Sequence, residues 1–285
     1  MDIETEDRKE FLETVNQCRK LKNLRGNDVY IRALRSSPEI KKPFFVVLLT
    51  CLVDYFFKCG ANKIYFNGEE EAKHFLFDEL KISDRIRGKE SDIMPLSDDK
   101  FALWRVKERE IVEYTTKIKN FLTPRVDNDF VVSVYEAAQE MYYNVVQHAE
   151  ANDTAFSYVY YDKERIYVAV CDFGIGIAKS MRKKYQGNDV ELISLSMDKG
   201  VSVKSTQNNQ GMGLYTLSTM IEKDDTLRVI SNNGFIFIKG ENKKNRPLGF
   251  DFKGTFIYFD IKVPSEVKYK SQDYKFDDYG DDFFK

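Results

Sequence analysis

The stretch Tyr135-Glu-Ala-Ala-Gln-Glu140-Met-Tyr-Tyr-Asn144-Val-Val-Gln-His148 sets a polar row beside an apolar stripe at helical spacing. Val134, Ala138, Met141 and Val145 fall on one side of a helix advancing about 100° per residue. Glu140, Asn144 and His148 recur every fourth residue, so they share a face along one edge of that stripe. Such a row either lines the wall of a cleft or is the solvated flank of an ordinary surface helix. Its chemistry suits the first case. An Asn carboxamide oxygen is a fitting neutral ligand for Mg²⁺, which keeps waters and takes phosphate oxygens as well. Glu140, one turn earlier, could act as general base on a water or a hydroxyl.

Further along, Val170-Cys-Asp172-Phe-Gly174-Ile-Gly176-Ile177 reads as a strand that delivers one carboxylate into a glycine turn. Glycines there let the backbone turn tightly and approach a ligand closely. The carboxylate could accept a hydrogen bond from an exocyclic amine such as that of adenine, or it could simply cap the turn. Asn208-Asn-Gln-Gly211-Met212-Gly213-Leu214-Tyr215 passes from a polar loop into an apolar helix, where exposed N–H groups suit phosphate. Lys253-Gly-Thr255-Phe256 opens the last strand. Taken singly, each is also an unremarkable turn, helix start or strand start.

The order in which they occur is more specific. A helix with Glu140, Asn144 and His148, a strand with DxGxG, a long loop, GxGL and a closing Gly-Thr strand resemble the GHKL ATPase superfamily over about Asp127 to Val263. Gyrase, heat-shock chaperones, histidine kinases and mismatch-repair ATPases share that fold. The resemblance implies ATP and Mg²⁺ as cofactors, with Asn144 on the metal and Glu140 as the base. It implies Asp172 on the adenine amine, Gly174 and Gly176 at the pocket floor, and Thr255 in the adenine-side water network. Gly211, Met212, Gly213 and Leu214 would lie beside the phosphates, under an ATP lid running from Ala178 to Gln210. Among the lid cations Lys179, Arg182, Lys183, Lys184 and Lys204, the preferred one is Lys204. His148 either touches phosphate or packs at the helix edge.

The chain departs from sensor histidine kinases, since His74 in Ala72-Lys-His-Phe-Leu-Phe-Asp-Glu79 lacks the Arg-Thr-Pro that usually follows a phosphoacceptor histidine. It is more similar to the anti-sigma serine kinase branch, whose members switch protein partners. The segment Val29 to Ser83 is faintly similar to a STAS domain, the type of partner that branch phosphorylates. Three activities stay open on these residues: a regulatory switch or protein serine/threonine kinase, an ATPase coupling lid closure to dimerisation or partner capture, and a nucleotide-gated binding module without turnover.

Composition sets the frame. Of 285 residues, 42% are hydrophobic and 32% charged, which suits real cores and excludes a membrane-embedded class. Lys plus Arg, 44, nearly balances Asp plus Glu, 46, so nucleic acid is not indicated as a partner. The acidic start Met1-Asp-Ile-Glu-Thr-Glu-Asp does not read as a signal peptide, and Pro43 to Phe57 is too short for the ~20 apolar residues of a spanning helix. A cytoplasmic protein without membrane contact is expected. Cys18, Cys51, Cys59 and Cys171 have no CxxC spacing and read as free thiols.

The expected fold class is α+β. A helix in residues 1–28 precedes a small α/β domain at 29–100 and a connecting strand and helix at 101–126. A Bergerat-type α/β sandwich, a mixed sheet covered by helices, follows at 127–265, and an acidic-aromatic tail at 266–285. Strands are expected at Thr154 to Tyr161 and Arg165 to Cys171. Asn232-Asn-Gly234 is expected to turn a hairpin between Thr226–Ile230 and Phe235–Lys239, before a last strand at Gly254 to Val263.

Overall fold

Strands that bury both faces read as near-continuous apolar runs, and the runs after residue 155 build one such sheet. The computed structural model describes residues 6–34, 38–88, 93–149, 155–201 and 213–264. Helix α1 (Glu6–Cys18) leads to strand β1 (Asp28–Leu34), helix α2 (Pro43–Lys58) and strand β2 (Lys63–Gly68). Strands β1 and β2 pair in parallel, so α2 is the crossover of a βαβ unit. Pro43 sits at the start of α2, where a missing N–H costs nothing.

Helix α3 (Glu70–His74) continues through one π turn to Glu79, and α4 (Ile82–Ile86) follows. Ala72, Phe75, Leu76 and Leu80 are buried, as their spacing predicts. Exposed His74 faces Glu79 at 3.4 Å, an ordinary surface contact.

The main sheet begins at the edge with β3 (Trp104–Arg105). Helices α5 (Ile111–Leu122) and α6 (Asn128–Ala149) come next, then β4 (Phe156–Tyr161) and β5 (Arg165–Asp172) around the turn Asp162-Lys-Glu164. Helices α7 (Ile177–Met181), α8 (Asp189–Leu195) and α9 (Gly213–Thr219) precede the long strands β6 (Thr226–Lys239) and β7 (Asn242–Lys262). The strand order is β3-β4-β5-β7-β6.

The α+β class is observed, with two departures. The five-stranded sheet is antiparallel at every pairing rather than mixed, and parallel pairing is confined to β1 and β2. The expected hairpin at Asn232-Asn-Gly234 does not form. Strand β6 runs on through it and pairs with β7 from Thr226↔Asp260 to Lys239↔Asn242, turning instead at Gly240. The register shifts between Ser231 and Gly234, so the segment is a bulge. Asn232 adopts φ +51, a left-handed conformation that Asn tolerates in turns and bulges alike, which is why the triplet reads as a turn.

The bulge changes which residues face which side. Before it, Leu227 and Val229 belong to the core beneath α6; after it, Ile236 and Ile238 do. Odd positions thus give way to even ones. Phe235 and Phe237 therefore join the opposite core, because the period of two is broken where the three steps from Ser231 to Gly234 face the longer run from Thr255 to Pro247.

The sheet is covered on both faces. Helices α5 to α9 pack on one, through residues such as Met141, Val145, Leu192 and Leu217. On the other, Phe44, Val47 and Cys51 of α2 share one core with Phe156, Tyr158, Ala169, Phe256 and Tyr258. Residues 29–100 and 127–265 thus contribute to the same hydrophobic core. Asp54, buried near the end of α2, accepts a 2.8 Å hydrogen bond from Arg105 on β3 and faces Lys58 at 2.9 Å, which ties α2 to the sheet edge.

Among the described residues no helix is long and apolar enough to cross a membrane. All four cysteines are free thiols, two of them buried.

Candidate functional site

Asp172 ends β5 and is fully buried. Its Oδ1 accepts the Gly174 N–H at 2.7 Å, while its Oδ2 has no partner among the described residues. Burial pushes its pKa up to about 7, against the opposing pull of the Gly174 amide, the Thr255 hydroxyl and the Arg19 charge. Thr255, also buried, stands directly across the ladder from Asp172 on β7. The β5–β7 pairing thus places the carboxylate and the threonine side by side.

The turn after Asp172 is held by close backbone packing. Gly176 has φ +84, and a β-carbon there would lie 2.6 Å from Asn232 Oδ1, 2.7 Å from Ser231 Oγ and 2.8 Å from the Gly254 carbonyl oxygen. Gly254 has φ +123, and a β-carbon there would overlap the Asp172 carbonyl. Both positions need glycine for conformation and for space.

The bulge supplies the clamp. Ser231 Oγ accepts the Ile177 N–H at 2.8 Å and donates to the Gly254 carbonyl at 2.8 Å. Asn232 Nδ2 donates to the Ile175 carbonyl at 3.0 Å, and its Oδ1 accepts the Lys179 N–H at 3.3 Å. Helix α8 closes over the same bulge, with Asp189 Oδ2 accepting the Asn233 N–H at 2.8 Å. The sequence marks Asn232 only as part of a chain reversal and gives Ser231 no signal, so neither reads as a clamp.

Helix α6 packs over β5, α7 and α9. Val134, Ala138, Met141 and Val145 are buried as expected, and Glu140 and Asn144 are half-buried at the margin of that stripe. Glu140 Oε2 is itself a buried oxygen without a partner among the described residues. Burial, and then the neighbouring charge of Glu136, raise the pKa of Glu140. Two of the site carboxylates therefore each hold an orphan oxygen, a costly arrangement unless another group completes it.

Helix α9 begins at Gly213, and Leu214 is buried in the core beneath α6. Gly211, Met212, Lys204 and the side chain of His148 lie outside the described residues. The first part of the expected lid is packed structure: Ala178, Met181, Leu192, Ile193 and Met197 are buried in the core, and Arg182 pairs with Asp189. Lys179 Nζ is 3.8 Å from Asp251.

A crevice of about 440 Å³ opens elsewhere, lined by Lys22, Asn23, Arg25, Lys58, Cys59 and Gly60, none of them among the residues expected to bind nucleotide. Among the described residues no cluster of three or more His, Cys, Asp or Glu is arranged to hold a metal ion.

Asp172 and Asn144 are of the residue types that an adenine nucleotide with Mg²⁺ would need. A buried carboxylate with a free oxygen suits a purine amine, and a half-buried Asn amide suits an ion whose other ligands are waters and phosphate oxygens. Compared with known protein families and with curated proteins, the chain matches none.

Proposed function

We propose that this chain binds ATP with Mg²⁺ between α6, the Asp172 turn and the start of α9. In this reading it acts as an ATP-dependent regulatory switch in the cytoplasm, transferring phosphate to a serine or threonine hydroxyl of a partner protein. The observation that carries the proposal is the pair of orphan buried oxygens, Asp172 Oδ2 and Glu140 Oε2. A group that satisfies both must offer a hydrogen-bond donor at one end and an acidic hydroxyl or water at the other.

Asp172 would accept the exocyclic amine of adenine, with Thr255 steadying the carboxylate from the neighbouring strand. Asn144 would offer its carboxamide oxygen to Mg²⁺, and bound Mg²⁺ neutralises phosphate charge during transfer. Glu140, whose pKa burial and the charge of Glu136 raise, is the more basic for it and would act as the base. A hydroxyl and a water present the same proton to it, so hydrolysis of ATP is the second outcome of the same geometry.

Calorimetry of the full chain with ATP and Mg²⁺ tests the pocket: saturable heat is expected, and its absence at any accessible concentration overturns the proposal. Incubation with γ-labelled ATP then assigns the acceptor. Label on protein supports the kinase, free phosphate the ATPase, and binding without either a nucleotide-gated module. Sedimentation with and without ATP reads whether nucleotide drives homodimerisation.

A further inference from the structure

Arg19, the residue following α1, is buried to 9% exposure, yet its Nε and Nη1 have no hydrogen-bond partner among the described residues. Leaving a guanidinium unsatisfied away from water is expensive, so its position needs a reason. Its Cζ lies 3.7 Å from the centroid of the Phe173 ring and 5.5 Å from that of Phe252. Phe173 is the residue between Asp172 and Gly174, and it packs into the core on the α2 side of the sheet. The guanidinium therefore lies over the ring that neighbours Asp172, on the turn that presents it.

The backbone around Arg19 is anchored. Its N–H donates to the Val15 carbonyl at 3.1 Å, and its carbonyl accepts the Tyr55 hydroxyl of α2 at 2.7 Å. Tyr55 also packs edge-on against Phe173, at 6.1 Å between centroids. The α1 end, α2 and the site turn thus meet in one aromatic cluster, with Arg19 over Phe173 and Lys22 over Tyr55.

The titratable and polar groups acting on this pair come from several elements. On Asp172 act the Thr255 hydroxyl of β7, the Gly174 amide and Arg19 itself. On Arg19 act Asp172 and the Cys171 thiol of β5, with the Cys51 thiol and the Tyr55 phenol of α2. Burial lowers the pKa of Arg19, and the charges of Cys171 and Asp172 oppose that fall. The attraction is mutual, since Arg19 draws Asp172 toward its ionised form.

We infer that Arg19 is a positioning residue for nucleotide recognition: stacked on Phe173, it supplies the counter-charge that keeps Asp172 a carboxylate able to accept the purine amine. Nucleotide binding is then conditional on the amino-terminal helix being docked against α2. This inference rests on the ATP reading above, because it assigns Arg19 a role in that site.

The test uses full-length wild type, Arg19→Met and Arg19→Lys, with circular dichroism to show that each folds. In the free protein, the ¹³C carboxyl resonance of Asp172, assigned by its loss in Asp172→Asn, reports the carboxylate directly. Its titration midpoint is expected to rise in Arg19→Met and to return toward wild type in Arg19→Lys. ATP–Mg²⁺ affinity by calorimetry is expected to fall roughly fivefold at about pH 7 in Arg19→Met and to match wild type at about pH 9, where the carboxylate is ionised in both. An unmoved midpoint in Arg19→Met overturns the inference even if ATP binds, and so does an affinity loss of equal size at every pH. If wild type binds no ATP at any pH, the nucleotide reading itself fails, and the role of Arg19 in it fails with it. Should Arg19→Met not fold, the Arg19→Lys midpoint decides: a wild-type value supports the counter-charge, and a raised one overturns it, since lysine keeps the charge.

Discussion

Gly254 on β7 passes so close to Asp172 on β5 that a β-carbon there would overlap the Asp172 carbonyl oxygen and lie 2.9 Å from Phe173 Cα. The neighbour is backbone, which cannot swing aside as a flexible side chain could. Its φ of +123 adds strain for any residue with a β-carbon. Gly254→Ala should therefore cost about 2–4 kcal/mol of stability in urea denaturation. It should also weaken ATP binding, because the displaced element is the turn that carries Asp172. A wild-type denaturation midpoint would show that the two strands are not packed this closely.

The Ser231 hydroxyl joins three elements, taking the Ile177 N–H and giving its proton to the Gly254 carbonyl. Ser231→Ala removes one acceptor and one donor at a buried site and leaves both backbone groups unpaired. A loss of about 1–3 kcal/mol is expected. Hydrogen exchange at the Ile177 amide should rise more than at amides in the middle of β5, since the defect lies at the start of α7.

Asp172 ties stability to pH. Its pKa is raised to about 7 in the folded chain, so the folded state holds a proton that the unfolded state has released. The stability this contributes is fully present below the ordinary carboxylate value of 3.8 and is lost as pH rises through about 7. Asp172→Asn cannot ionise, so the free variant should be more stable than wild type above neutrality, by on the order of 3 kcal/mol. The same variant should lose ATP binding, as expected where a functional group is held at the expense of stability. Thermal melts of both proteins from acid to mildly alkaline pH check the first claim: parallel curves would show that Asp172 is not buried as a carboxyl.

Much of this architecture is legible in the sequence because burial and period coincide. The stripe Val134, Ala138, Met141 and Val145 predicts the inner face of α6, and Glu140 and Asn144 fall at its margin for the same geometric reason. The apolar runs of β4 and β5 set Asp172 at a strand end. The clamp is not legible, because Asn232-Asn-Gly234 carries the same preference for positive φ whether the chain reverses or bulges. What decides is the long-range pairing with Pro247 to Thr255, which no local signal encodes. Arg19 escapes notice for a related reason: its partners are Phe173 and Phe252, more than a hundred residues away, and nothing in the charged pattern of α1 marks one arginine as buried.

Glu140 yields a prediction in which binding and turnover separate. Glu140→Gln keeps the size and polarity of the side chain but cannot accept the proton, so phosphoryl transfer should fall by about 10²–10⁴-fold while ATP affinity holds. Asn144→Ala should instead remove the Mg²⁺-dependent part of ATP binding. Because the charge of Glu136 helps raise the Glu140 pKa, Glu136→Gln should lower it, and the acid limb of the pH–rate profile should move to lower pH. An acid limb that stays in place would assign the base to another group.

The second face of the sheet makes the amino-terminal third a structural requirement for the site. Phe44 is fully buried on α2, with its ring 5.0 Å from Phe256 and 6.0 Å from Tyr258 in edge-on contacts. Phe256 follows Thr255 on β7, so the packing of one face sets the strand that aligns the other. Phe44→Ala should cost about 3–5 kcal/mol. A fragment of residues 101–264 would expose Phe156, Tyr158, Ala169, Phe256 and Tyr258 together, an apolar surface large enough to drive association. Expressed alone it should aggregate or bind hydrophobic dyes strongly, and it should recover ATP binding when residues 1–100 are supplied in trans. A monomeric, cooperatively melting fragment that binds ATP on its own would show that the nucleotide site needs only the helices on its own side of the sheet.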